Sequence, residues 1–203
     1  RAPVADRPEK IRNVALVGHG GSGKTSIAEA LLFVTGAIPR MGRVEDGNTV
    51  SDFDPEEARR GISVSMSIAP FEHEDHKVNV LDTPGYADVV GDVAAAFRAA
   101  DLAVFVVSAV EGVEVQTEMA WRMAEQANLP RAVFVNKLDR ERASFGRTLD
   151  DLKAMKLSTR SEIADDTVPL GAARLDRGEL SQGRLLLRRV AVHKGGCGEI
   201  GQA

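Results

Sequence analysis

At 203 residues with 43% apolar content, the chain fits one α/β domain with a proper core, plus an appendage. No run approaches the roughly 18 to 20 apolar residues of a membrane span, and the charged N-terminus has no apolar signal core, which argues against secretion. The lone Cys197 excludes an internal disulfide and suits a reducing cytoplasm, while a net charge of −4 argues against a broadly basic nucleic-acid-binding surface. The chain does not begin with Met, which suggests a trimmed or partial sequence.

In chain order, Val14 to Val17 reads as a short apolar strand running straight into a glycine-rich loop. Residues 25–34 read as a helix with Ile27, Ala30, Leu31 and Val34 on one face. Residues 36–62 are rich in Gly, Asp and charge with weak periodicity, the pattern of a mobile functional loop rather than a simple connector. Residues 63–68 alternate with period two and 77–81 follow, predicting an antiparallel pair. A helix over 87–100 precedes the buried-looking strand 102–107, and a helix over 114–127 precedes the strand 132–135. Strands alternating with crossover helices predict a three-layer α/β/α fold with a mostly parallel sheet and one antiparallel edge strand. Ligands are expected at the carboxyl edges of its strands.

Charge divides the chain. Residues 1–139 carry 14 Lys/Arg and 21 Asp/Glu, whereas 140–203 carry 12 and 9, so the second part is slightly basic. The expected organisation is an N-terminal extension over 1–10, a nucleotide-binding domain over 11–157, and a C-terminal segment over 158–203. That last segment reads either as a degenerate end of the domain or as an atypical, solvated tail.

Three motifs sit at the ends of strands. Gly18, His19, Gly20, Gly21, Ser22, Gly23, Lys24 and Thr25 satisfy the Walker A pattern between a strand and a helix, with Ser26 next in the helix. Its glycines let backbone N–H groups face phosphates, and the helix N-terminus adds a positive dipole end. Lys24 is expected to bridge the β- and γ-phosphates, and the Thr25 hydroxyl to bind Mg²⁺. Asp82, Thr83, Pro84 and Gly85 end the next core strand. There Asp82 is expected to hold Mg²⁺ through a water and Gly85 N–H to meet the γ-phosphate, although Asp-x-x-Gly alone also spells a common turn. Asn136, Lys137, Leu138 and Asp139 follow a strand. Asp139 can accept two hydrogen bonds from a guanine edge, which adenine cannot offer. Asn136 would tie this loop to the phosphate loop, and the Lys137 stem would cover the ring.

With these segments the chain resembles the GTP-binding domain of translational GTPases, in particular elongation factor G and the paralogous elongation factor G-like proteins. The resemblance also rests on Arg59, Arg60, Gly61, Ile62 and Ser63, on residues 101–108 and on residues 112–116, and covers about 11–145. It implies GTP/GDP and Mg²⁺ as cofactors, a conformational switch, weak GTP hydrolysis, a cytoplasmic monomer, and a ribosome partner acting through the full-length protein. No membrane or metal-cluster role is implied. By resemblance, Ser63 matches a Thr that binds Mg²⁺ and the γ-phosphate, and His19 matches the phosphate-loop His. Lys24, Gly85 and Tyr86 are the expected catalytic positions.

Two departures stand out. Tyr86 replaces the His that orients the attacking water in strongly hydrolysing members, and a phenol with a pKa of about 10 is a poor base at neutral pH. Gly21 replaces an Asp thought to help bind a charge-compensating cation. Both should weaken transition-state stabilisation more than nucleotide binding. His73, His76 and His193 show no metal-ligand spacing, and Trp121 and Met123 read as core. Residues 167–173 offer a degenerate version of a further guanine-contacting loop, or the start of an inserted subdomain; the sequence leaves both open. Three other readings remain: a non-hydrolysing GTP-binding module, a small-molecule P-loop kinase (opposed by Asn136 and Asp139), and an inactive fragment with a frame-altered tail.

Overall fold

The computed structural model describes residues 7–50, 65–85 and 90–159. Five strands form one sheet: β1 (Ile11–Val17), β2 (Ser67–His73), β3 (His76–Asp82), β4 (Leu102–Ser108) and β5 (Arg131–Asn136). Its order is β2-β3-β1-β4-β5, and every neighbouring pair is parallel except β2 with β3. The expected mostly parallel sheet with one antiparallel edge strand is therefore the fold observed. Among the described residues four α-helices connect it: α1 (Lys24–Val34), α2 (Val90–Ala99), α3 (Val115–Gln126) and α4 (Phe145–Thr159).

Central strand β4 is apolar throughout because both of its faces are covered, as parallel sheets require. Ala103, Phe105 and Val107 join a cluster with Phe97 of α2, Trp121 of α3 and Leu152 and Met155 of α4. Leu102 and Val104 point the other way, into a cluster with Ala28, Leu31 and Leu32 of α1. The sheet is thus the middle of three layers. Phe105 and Trp121 meet at 4.8 Å between ring centroids, and the Arg131 guanidinium lies 4.8 Å from the indole.

Several strand boundaries differ from the sequence reading, two of them by more than a residue. Strand β1 begins at Ile11 rather than Val14. More consequentially, β2 runs over Ser67–His73, so its buried residues are Ala69 and Phe71 while Ile68 is 59% exposed. A shift of one residue exchanges the faces of a strand. The register is set by a two-residue turn at Glu74 and Asp75, both at positive φ, which places His73 opposite His76. Arg7 holds Asp75 through two hydrogen bonds of 2.6 and 3.2 Å, fastening the start of the described chain to this turn. Pro70 is tolerated because β2 is an edge strand.

Candidate functional site

Where β1 ends, the chain turns over 18–23 and enters α1 at Lys24. Gly23 caps that helix in the left-handed region, φ 99°, with no side chain to occupy the first-turn N–H groups. Those donors are left for an anion. A Cβ on Gly23 would collide with Asn136 Nδ2, so close approach and backbone conformation both demand glycine here.

Lys24 is almost wholly buried, and its Nζ donates to the Gly18 and His19 carbonyls, each at 2.9 Å. Burial lowers its pKa to about 8, against the opposing pull of Asp82. The turn after β3 is seated on the same loop. A Cβ on Gly85 would lie 2.5 Å from Gly20 N and 2.6 Å from Lys24 Nζ. That turn is fixed by Thr83, whose backbone N–H and hydroxyl both donate to Leu16 O of β1, at 3.3 and 2.7 Å.

Thr25, in the first turn of α1, donates its hydroxyl to Asp82 Oδ2 at 2.7 Å. A buried hydroxyl against a buried carboxylate is a hard-oxygen donor pair, the chemistry that suits Mg²⁺. Ser22 is fully buried, and His19 is nearly so, with its pKa held below the ordinary histidine value first by burial. Ser26, by contrast, is on the exposed side of α1, away from these groups.

Asn136, the last residue of β5, donates to Ser22 O at 2.8 Å and so joins the third motif to the first. Lys137 adopts φ 59°, a conformation uncommon outside glycine, and its Nζ lies 3.9 Å from Glu111. The Glu111 carboxyl titrates below its ordinary value, mainly through a hydrogen bond with Ser108 and further through Lys137. Asp139 projects outward, its side chain 65% exposed and 3.9 Å from Arg140.

The fold therefore gathers the phosphate loop, Asp82, Gly85 and Asn136 at one end of the sheet, and leaves Asp139 in solvent. Ser63 and Tyr86 lie outside the described residues, as do residues 167–173. Sequence reasoning includes Thr83 in its motif without giving it a role, and does not find Glu111 or the buried Glu29 of α1. For Glu29 a signal exists: it follows Thr25 by one helical turn. Among the described residues no group of three or more His, Cys, Asp and Glu is placed to hold a metal, and no helix is long and apolar enough to cross a membrane.

Residues 9–183 match the family described as the elongation factor Tu GTP binding domain. An elongation factor G-like protein of Mycobacterium tuberculosis is 47% identical over 148 residues, which are 73% of this chain and 21% of that protein. Elongation factor G of Granulibacter bethesdensis is 43% identical over 145 residues, 71% of this chain and 21% of its own. A crystal structure of a protein from Thermus thermophilus superposes with a TM-score of 0.68 at 49% identity, covering 71% of this chain and 22% of that one. The chain thus spans about a fifth of the length of these relatives.

Proposed function

The chain belongs to the elongation factor Tu GTP-binding domain family, and from its site we propose that it binds Mg²⁺ with GTP or GDP as a switch and hydrolyses GTP slowly. The observation that carries this reading is convergence. Residues 57 apart meet as Thr25 and Asp82, and residues 114 apart meet as Asn136 and Ser22. No local turn propensity brings such distant groups together.

On this reading, backbone N–H groups of residues 18–25 and the N-terminus of α1 hold the phosphates. Lys24 exchanges its carbonyl partners for β- and γ-phosphate oxygens. Thr25 and Asp82 would hold Mg²⁺, with Ser63 as a further ligand and Asp82 reaching it through a water, and the bound ion would supply neutralisation of phosphate charge. Gly85 offers its N–H to the γ-phosphate, which requires the turn after β3 to lift from its seat on Gly20. The γ-phosphate is thereby coupled to movement of that turn. Asp139 reads the guanine edge and Lys137 covers the ring, its ammonium steadied by Glu111.

Hydrolysis is slow because Tyr86 supplies no base at neutral pH and Gly21 no carboxylate. The domain acts in the cytoplasm as a monomer, and its ribosome partner is engaged by the full-length protein, as the elongation factor relatives suggest. A non-hydrolysing switch is the second reading, favoured by Tyr86 alone.

The test is titration of the purified chain with fluorescent GTP, GDP and ATP, with and without Mg²⁺. Guanine-selective, Mg²⁺-sensitive binding is expected. Equal affinity for ATP would remove the base-reading role, and a folded chain that binds none of the three would overturn the proposal. Phosphate release in the full-length protein with ribosomes then separates the two readings.

A further inference from the structure

The turn that leaves β4 carries a charged side chain that belongs to none of the three motifs. Ser108 ends β4 and pairs in register with Asn136, the last residue of β5. From there the chain closes on itself: Gly112 N donates to Ser108 O at 2.8 Å, and Val110 N donates to the Ser108 hydroxyl oxygen at 3.3 Å. The turn is also held from both sides. Ala109 N donates to Asn136 O at 2.8 Å, joining it to the base-reading segment. At the start of α4, Ser144 N donates to Ala109 O at 2.9 Å and Arg147 Nη2 donates to Val110 O at 2.6 Å. Gly112, at φ 79°, is packed so closely that a Cβ there would stand 2.8 Å from Asp151 Oδ2. Glu111 thus projects from a turn with little freedom to move.

Its carboxylate is aimed as well as anchored. The fully buried Ser108 hydrogen-bonds it and is the main reason its pKa is lowered, with Lys137 and then His19 adding to the effect. It therefore stays ionised at neutral pH. Lys137 Nζ lies 3.9 Å from its Oε2. Lys137 is constrained at the other end too: its backbone sits at φ 59°, and its carbonyl accepts from Arg140 N at 3.2 Å. A long side chain fixed at its backbone and attracted at its tip has few rotamers left to sample.

We propose that Glu111 is a positioning residue for the nucleobase: it draws the Lys137 ammonium to one side, so that the lysine stem lies extended as a preformed cover for the face of a purine. This inference rests on the nucleotide-binding reading above. A contact with the ring face is the same for every purine and independent of the phosphates, whereas the edge assigned to Asp139 differs between bases. Glu111 therefore adds to the affinity and residence of GDP and GTP alike, and leaves the choice among purines to Asp139. Lys137 and Glu111 are 29% and 40% exposed, so solvent screens the pair and the effect is about threefold rather than larger.

The experiment compares Glu111→Gln, Lys137→Met, which keeps the stem and removes the charge, and the double variant. Affinities for GDP, a non-hydrolysable GTP analogue, inosine diphosphate and inorganic pyrophosphate are measured with Mg²⁺ by displacement of a fluorescent guanine nucleotide, alongside thermal midpoints. Glu111→Gln should weaken all three nucleotides by about threefold, with their ratios unchanged. Pyrophosphate affinity and the thermal midpoint should not move. In the Lys137→Met background, Glu111→Gln should have no further effect.

Tighter pyrophosphate binding by Glu111→Gln would mean that the carboxylate acts on the phosphates by repulsion. A full loss that persists in the Lys137→Met background, or that accompanies a lowered thermal midpoint, would mean that Glu111 supports its own turn and not the lysine. A changed ratio of GDP to inosine diphosphate would place Glu111 in edge reading, and unchanged nucleotide affinity would leave it no role. Each of these results overturns the inference and leaves the nucleotide site standing. A parent chain that binds none of the nucleotides overturns the underlying reading, and this inference with it.

Discussion

The two ends of the candidate site are built differently. At the phosphate end, Lys24, Thr25 and Asp82 are buried and already hydrogen-bonded, within a loop that Gly23, Asn136 and Thr83 hold in shape. At the base end, Asn136 is tied down, but Asp139 projects into solvent from a loop whose neighbour Lys137 is only loosely paired with Glu111. The difference concerns where binding energy and discrimination originate. A preformed, buried site for phosphates, as proposed, would already have met its ordering cost and would give affinity. An exposed carboxylate competes with water, and discriminates strongly only once a base covers it and an unmatched edge would leave it unpaired. Affinity should accordingly depend most on the first region, and selectivity on the second.

Lys24→Ala is the severest way to break that asymmetry. It removes the buried cation of the loop, and a loss of at least about a hundredfold in affinity for both GTP and GDP is expected, each charged hydrogen bond contributing roughly 1.5–3 kcal/mol. Titration with fluorescent nucleotides reads it; unchanged affinity would mean that backbone N–H groups alone grip the phosphates. The same lysine predicts a pH signature. Its folded pKa of about 8 lies below the ordinary 10.5, so the free folded chain holds fewer protons than the unfolded chain between these values. Stability of the free protein should therefore rise with pH across that window. Phosphates favour the charged amine, so nucleotide affinity should fall above about pH 8, by at most about tenfold per unit. Calorimetry in buffers of different ionisation enthalpy should show proton uptake on binding at about pH 8.5.

Asp139→Asn addresses the other end. The amide cannot accept from both donors of the guanine edge, so GTP affinity should drop roughly tenfold to a hundredfold while xanthine nucleotides gain. Phosphate grip should persist, which separates this variant from Lys24→Ala. Retained guanine selectivity would place base reading elsewhere in the chain. Asn136→Ala cuts the tie between the two ends, and one neutral hydrogen bond of about 1 kcal/mol gives a loss of about fivefold. That loss should appear for guanine and adenine nucleotides alike, because the bond shapes the loop at Ser22 rather than touching a base. A guanine-only effect would show that the tie serves the base loop.

The ease of reading the sequence follows the same division. The phosphate loop is legible because its chemistry restricts the backbone itself, and glycine spacing records that restriction directly. Core strand β4 is legible because burial on both faces leaves an unbroken apolar run. Strand β2 is misread by one face: 63–68 alternates well, but its register is fixed by the Glu74–Asp75 turn, which has none of the Asn or Gly that usually marks such turns. In α1 the buried face carries Lys24, Thr25 and Glu29 beside Ala28, Leu31 and Leu32, so of an apolar stripe drawn through Ile27, Ala30, Leu31 and Val34 only Leu31 is fully buried and the stripe is rotated from the true one. Glu29 is invisible for a related reason. A charged residue in a helix reads as solvated, and its partners at Gly42 and Val50 are backbone groups that carry no side-chain signature.

Gly21 is the place where the firm phosphate end should yield most easily. It sits at φ 77° with nothing within 4 Å of a Cβ built on it, unlike Gly23 beside Asn136. Aspartate is among the few residues that tolerate this conformation, so Gly21→Asp should cost about 1 kcal/mol of stability or less, read as a small shift in thermal midpoint. Its electrostatic effect is more informative. An exposed carboxylate added beside the phosphates should weaken nucleotide affinity by about threefold. If this position serves a compensating cation, as the family resemblance implies, adding a monovalent cation should restore that affinity in the variant more than in the parent chain. Gly23→Ala, carried alongside, should cost several times more stability because its Cβ would collide with the Asn136 side chain. If the two substitutions proved equally damaging, the loop would be rigid throughout, and the contrast between its crowded and open glycines would have no energetic content.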